Sequence, residues 1–140
     1  MVAGCAYHPG SFRDHEGPWP GTVLTSGCLD LAVASSDEAD VNDPVVAYSV
    51  GNRCGHRLEV DLAALRVVGR DASGREGTLV AFDPRGELQP TTLNALWSGR
   101  AKISYRGALA GITSICVDVG SIDRTAAYAE RWVCVEKVLR

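Results

Sequence analysis

Three groups of residues in this chain have types and spacings that could do chemistry: an acidic loop, three histidines and five cysteines. Residues 36–44 read Ser-Asp-Glu-Ala-Asp-Val-Asn-Asp-Pro and place Asp37, Glu38, Asp40, Asn42 and Asp43 within seven positions. Calcium takes six to eight hard oxygen ligands, so Asp37, Asp40, Asn42 and Asp43 could form part of a calcium site. The loop lacks the glycine and terminal glutamate of a helix–loop–helix calcium loop. It reads first as a solvated acidic connection between two strands, with Pro44 blocking edge pairing. His8 and His15 share a proline- and glycine-rich stretch with Asp14 and Glu16, where their spacing defines no metal site. His56 follows Cys54-Gly55 in a turn, and no third group is at hand to orient a Cys–His nucleophile pair. The serines make no nucleophile elbow, and the glycines make no phosphate loop. No constellation supports catalysis, and no cofactor is implied beyond the calcium reading.

The cysteines are Cys5, Cys28, Cys54, Cys116 and Cys134. None has the close Cys-x-x-Cys spacing of a zinc ribbon or redox motif. Widely spaced cysteines inside strands read as disulfides, which implies export to an oxidising compartment. The alternative is free cysteines buried as small apolar groups. The chain opens Met1-Val2-Ala3-Gly4-Cys5. Val-Ala-Gly-Cys resembles the lipobox of bacterial lipoproteins, in which the cysteine is lipidated. A lipobox ends a leader with a basic start and an apolar stretch. The resemblance therefore implies that these residues begin late in a longer reading frame. It also implies a lipid anchor at Cys5 and a location in the periplasm, at the outer membrane or at the cell surface. The other reading of Cys5 is a stray cysteine in a tail. In the acidic loop, Asp40-Val-Asn-Asp-Pro44 looks like the calcium-ligating Asp-x-Asn-Asp motif of cadherins, though a second repeat to complete that site is lacking.

The chain has 140 residues, with 46% hydrophobic residues and a net charge of −3. That length fits one domain able to bury a real core. Arginines and lysines are scattered among acids, which argues against nucleic acid as a partner. No segment reaches the roughly 20 apolar residues of a spanning helix. Residues 1–21 read as an anchor and tether, rich in proline and glycine and without periodicity. Residues 22–140 read as the folded domain.

Alternation places strands at residues 28–34, 45–50, 57–62, 65–70, 78–83, 101–106, 112–119 and 131–138. The apolar sets are Leu29, Leu31 and Val33; Val46, Tyr48 and Val50; Leu58, Val60 and Leu62; and Ile103 with Tyr105. Turns fall at Asp71-Ala-Ser-Gly74 and Asp83-Pro-Arg-Gly86. Residues 88–97 are either a short helix or an irregular edge, and residues 125–130 make a helical turn. Seven or eight strands with one wet face suit an all-β, antiparallel two-sheet sandwich that resembles the immunoglobulin architecture, with a closed barrel as the alternative. The core tryptophan of that family is missing, and Tyr48 is its nearest substitute.

The last two strands carry the sharpest expectation. Pairing their apolar faces puts Val117 opposite Val133 and Ile115 opposite Val135. The same register sets Cys116 opposite Cys134, with α-carbons about 4.5 Å apart in a non-hydrogen-bonded pair. Both cysteines then share an outer face with Ser114, Asp118, Trp132 and Glu136. That alternation argues against a bridge through the core from Cys28 to Cys116. By elimination Cys28 pairs with Cys54. The functional expectation is a non-catalytic module that binds another envelope or extracellular protein. The alternative is an inhibitor or immunity-type protein that blocks a secreted hydrolase.

Overall fold

A computed structural model describes residues 22–36, 43–86, 88–122 and 130–136. The described residues are all-β: β1 Thr22–Ser26, β2 Leu29–Ser35, β3 Val45–Asn52, β4 Leu58–Val60, β5 Arg66–Asp71, β6 Glu76–Ala81, β7 Thr91–Leu93, β8 Ser98–Arg106, β9 Ile112–Asp118 and β10 Trp132–Glu136. Two single-turn 3-10 helices, Leu62–Ala64 and Val119–Ile122, complete the set. The anchor and tether and the helical turn at 125–129 lie outside the described residues.

The main sheet has eight antiparallel strands in the order β1-β2-β3-β8-β6-β5-β9-β10, and β4 and β7 form a two-stranded sheet of their own. The expected sandwich would have two sheets; here the large sheet is continuous and curls on itself. β8 causes this. Its residues 98–104 pair with β3, and then Tyr105 and Arg106 pair with Ala81 and Val80 of β6. That two-rung seam joins a β1-β2-β3-β8 half to a β6-β5-β9-β10 half. The curl brings β10 against β2, and Arg131 donates to the Thr25 carbonyl of β1 across 2.8 Å.

One apolar cluster fills the curl. It takes Leu29, Leu31 and Val33 from β2, Val46, Tyr48 and Val50 from β3, and Ile103 and Tyr105 from β8, as alternation predicts. β5, β6 and β9 add Val67, Leu79, Ile115 and Val117. The outward face of β2 and β3 is not wet. Ala32, Ala34, Ala47 and Ser49 are buried there. These short residues stand in register beside the long side chains of Arg100 and Lys102 on β8.

One segment departs from its expected form, and another takes one of its two expected forms. The strand expected at 57–62 stops at Val60, because β4 has only the three rungs of β7 to pair with. The chain then tightens, with Ala64 and Leu65 donating to the Asp61 and Leu62 carbonyls. Residues 88–97 take the irregular-edge form and not the helix: they hold β7 and a turn. Pro90 disfavours helical geometry in the residue before it, and Leu96 has a left-handed φ of 63°. The turn after β5 forms as expected. Asp71 accepts from the Ser73 hydroxyl and from the Ser73 and Arg75 amides. The Ser73 hydroxyl leads in holding its carboxyl down to about 2.

Tyr48 occupies the central core position, wholly buried, with its hydroxyl 2.6 Å from that of Tyr105. Each phenol satisfies the other in a place water does not reach. Burial pushes Tyr105 up to about 12 and raises Tyr48 well above its usual value. Tyr48→Phe should therefore orphan Tyr105 and cost about 1–3 kcal/mol, whereas Tyr48→Phe with Tyr105→Phe should recover most of that loss. Chemical denaturation of the two single variants and the double variant measures this cycle. The neutral pair's contribution is complete below the unfolded tyrosine value of about 10. It is lost as pH rises through about 12. Alkaline titration followed by phenolate absorbance should show late ionisation that coincides with unfolding.

Candidate functional site

At the end of the barrel-like curl opposite Thr22, three loops are tied together. These are the β1–β2 turn at Gly27 and Cys28, residues 53–57 after β3, and residues 94–97 between β7 and β8. Asn52 is the knot. It is fully buried, and its side-chain amide donates to the carbonyls of His56 (2.9 Å), Leu93 (3.0 Å) and Asn94 (3.2 Å). Its side-chain oxygen accepts from the Cys54 amide at 2.7 Å. Its backbone takes the Leu96 amide and gives its own to the Trp97 carbonyl. A buried amide with its capacity this fully used fixes the loops that it joins.

The Cys28–Cys54 disulfide, with α-carbons 5.2 Å apart, clamps the first two loops. Arg53 reinforces it: its amide donates to the Cys28 carbonyl. Its side chain donates to the Gly27 carbonyl and to the buried carboxylate of Asp30, both at 3.0 Å. On this frame the 94–97 turn presents two large apolar side chains to solvent, Leu96 at 45% and Trp97 at 55% exposure. Beside it opens a small cleft of about 220 Å³. Val50, Val60, Leu88, Leu93 and Ile103 line it, with Gln89 and Thr91 among its polar groups. The chain links the two: Leu93 and Gly99, which flank the 94–97 turn, both line the cleft.

Cys116 stands opposite Cys134 in the expected register, with Val117 opposite Val133 and Ile115 opposite Val135. The two are disulfide-bonded, with α-carbons 4.0 Å apart. Their face is only partly the wet one expected. Cys134, Trp132 and Glu136 are exposed, but Cys116 and Asp118 are fully buried. The reason is a cover built from neighbouring strands. Arg66 reaches Glu130 at 3.1 Å and lies 5.4 Å over the Trp132 ring. Beneath it, one oxygen of Asp118 accepts from the Gly120 and Arg131 amides. The other sits 3.7 Å from the Arg66 guanidinium, a charge contact too long for a hydrogen bond. Hydrogen bonding from Arg66 holds the Glu130 carboxyl below its usual range. The two bridges indicate an oxidising compartment.

Of the calcium residues, Asp37, Asp40 and Asn42 lie outside the described residues, as does the lipobox-like Cys5. Asp43 is engaged by Arg106 at 3.2 Å, and that guanidinium also stacks 3.4 Å over Phe82. A cation taking Asp43 as ligand would share its carboxylate with Arg106. His56 is exposed, and its ring nitrogen lies 3.1 Å from the Arg57 carbonyl. Among the described residues no three His, Cys, Asp or Glu side chains gather to hold a metal, and no helix is long and apolar enough to cross a membrane.

No protein-family model matches the chain, and no curated protein matches it. Among solved structures, the yjhA protein from Bacillus subtilis is similar, with a TM-score of 0.51 and 11% sequence identity over 84% of this chain and 97% of that one. At that identity the likeness concerns fold alone.

Two substitutions separate the frame from what it presents. Asn52→Ala removes the donor to three carbonyls, the Leu93 one buried, and the acceptor of the Cys54 amide, and should cost about 2–4 kcal/mol by the penalties for unsatisfied groups. Leu96→Gly removes a side chain from a left-handed residue and should leave stability unchanged or raise it by about 1 kcal/mol. Thermal melts of both proteins provide the comparison.

Proposed function

We propose that this domain is a non-catalytic binding module of the cell envelope or cell surface, which engages another protein through the Leu96–Trp97 turn. The observation that carries this reading is the exposed indole on an over-determined frame. Ordering cost is already met in the free protein, so burial of Trp97 converts efficiently into affinity. Tryptophan is also the residue type most enriched at such contact centres. The turn projects from the end opposite Thr22, where the chain leaves toward residues 1–21. A lipid on Cys5 would tether the domain to a membrane through residues 6–21. On this reading the curled sheet is an immunoglobulin-like sandwich whose two halves stay joined along β8.

A second reading, an inhibitor or immunity-type protein acting on a secreted hydrolase, is favoured by the Asp43–Arg106 pair. That pair holds Asp43, the last acid before Pro44, and a carboxylate held at the surface is suited to plugging an active site. The two readings use opposite ends of the molecule.

Trp97→Ala should leave the melting temperature within the small range of exposed substitutions, about 0.5 kcal/mol. It should abolish cross-linking to an envelope partner that the unaltered protein captures. Val80→Ser changes a residue that is 66% exposed and distant from the turn, and it should preserve capture. Capture that survives Trp97→Ala but fails with Asp43→Ala would transfer the contact to the acidic end and favour the inhibitor.

A further inference from the structure

The two disulfides differ in how a nucleophile can reach them. Cys54 is buried at 5% exposure, Cys28 is half-buried, and both are held by the Asn52 and Arg53 hydrogen bonds of the tied loops. Cys116 is fully buried, but its partner Cys134 is exposed. Cys134 also lies on β10, the terminal strand of the sheet. Thiol–disulfide exchange needs a thiolate in line with the sulfur–sulfur bond, on the far side of the sulfur attacked. The Cys116–Cys134 bond runs from β9 across to β10. Attack on Cys116 would have to come from the β5 side, where Val68 occupies the facing position of the ladder. Attack on Cys134 comes from beyond β10; β2 lies near that strand, but none is hydrogen-bonded to it there among the described residues, and Cys134 is exposed.

We propose that the Cys116–Cys134 bridge is a thiol–disulfide exchange site, opened at Cys134 by a dithiol reductant, while Cys28–Cys54 is a permanent brace. A thiolate of the dithiol bonds to the Cys134 sulfur, the bond to Cys116 breaks, and Cys116 leaves with the electron pair and takes up a proton. The second thiolate of the reductant then attacks its own sulfur in the mixed disulfide and closes a disulfide there. Cys134 is released and protonated. The protein gains two electrons and two protons, and the dithiol loses the same.

The ladder makes the step reversible. Cys116 and Cys134 are one of five opposed pairs between β9 and β10, so the flanking rungs keep the two sulfurs facing each other after the bond opens. The Cys28–Cys54 pair has no ladder of its own; it joins a turn to a loop. Once Cys134 is free, its exposure leaves it open to small thiols and to oxidants, whereas Cys116 stays sealed beside Asp118.

The test uses the folded full chain under native conditions. It is treated with dithiothreitol for increasing times, quenched with an alkylating reagent in denaturant so that the buried Cys116 is labelled too, and mapped by peptide mass spectrometry, with Cys5 read separately in the same map. Cys116 and Cys134 should become labelled about tenfold or more faster than Cys28 and Cys54, as expected when access sets the exchange rate. Far-ultraviolet circular dichroism should stay folded throughout. With glutathione, a monothiol, the mixed disulfide should be trapped on Cys134. Equal opening of both bridges, labelling that tracks loss of the folded signal, or a glutathione adduct on Cys116 would each overturn the proposal.

Discussion

The fold depends on one strand serving two ladders. β8 is nine residues long; it completes the β1-β2-β3 half of the sheet and then gives its last two residues to β6. Everything on the other half of the sheet hangs from that handover. A sheet that must twist while keeping one apolar face inside curls when a strand changes partners, and the curl gives the core its enclosure. The place where β8 changes partners is also where Tyr105 meets Tyr48. The hydroxyl pair therefore sits at the seam and satisfies the two most demanding polar atoms of the core where the ladder is thinnest.

Alternation made much of this legible. Leu29, Leu31 and Val33, or Val46, Tyr48 and Val50, can be read as one face because a strand has a period of two and these runs have no breaks. The β9–β10 register followed from the same rule, since a slip by one residue would turn Val117 and Val133 to the wrong face. The Cys116–Cys134 pair then followed from that register. What alternation does not encode is the identity of non-sequential neighbours. Nothing local to residues 98–106 says that the strand will leave β3 for β6, so the sequence reads equally well as two separate sheets. β1 did not stand out as a strand for a related reason: it is short and pairs at an edge, where few apolar residues are needed.

The candidate site was hardest to read. Its frame rests on Asn52, whose importance lies in four partners contributed by His56, Leu93, Asn94 and Cys54. Three of these come through backbone carbonyls, which carry no side-chain signature. The available signal was weak: two large apolar residues, Leu96 and Trp97, in a segment with no period, between Pro90 and Gly99. The buried face of Asp118 was missed because its cover comes from two parts of the chain distant from each other, Arg66 and the Glu130–Trp132 segment. A rule that assigns outward residues to water has no access to what folds over them.

The placement of the Trp97 turn opposite Thr22 has a mechanical consequence. A pull applied between these two points runs along the strand axes. The rungs of β1–β2 and β2–β3 then carry load together in shear, and cannot be unzipped one after another. Cys28–Cys54 crosses the loaded end as a covalent stop, so extension cannot begin by peeling the β1–β2 turn away from the end of β3. Tension between Thr22 and the tip would be borne by the whole width of that half of the sheet.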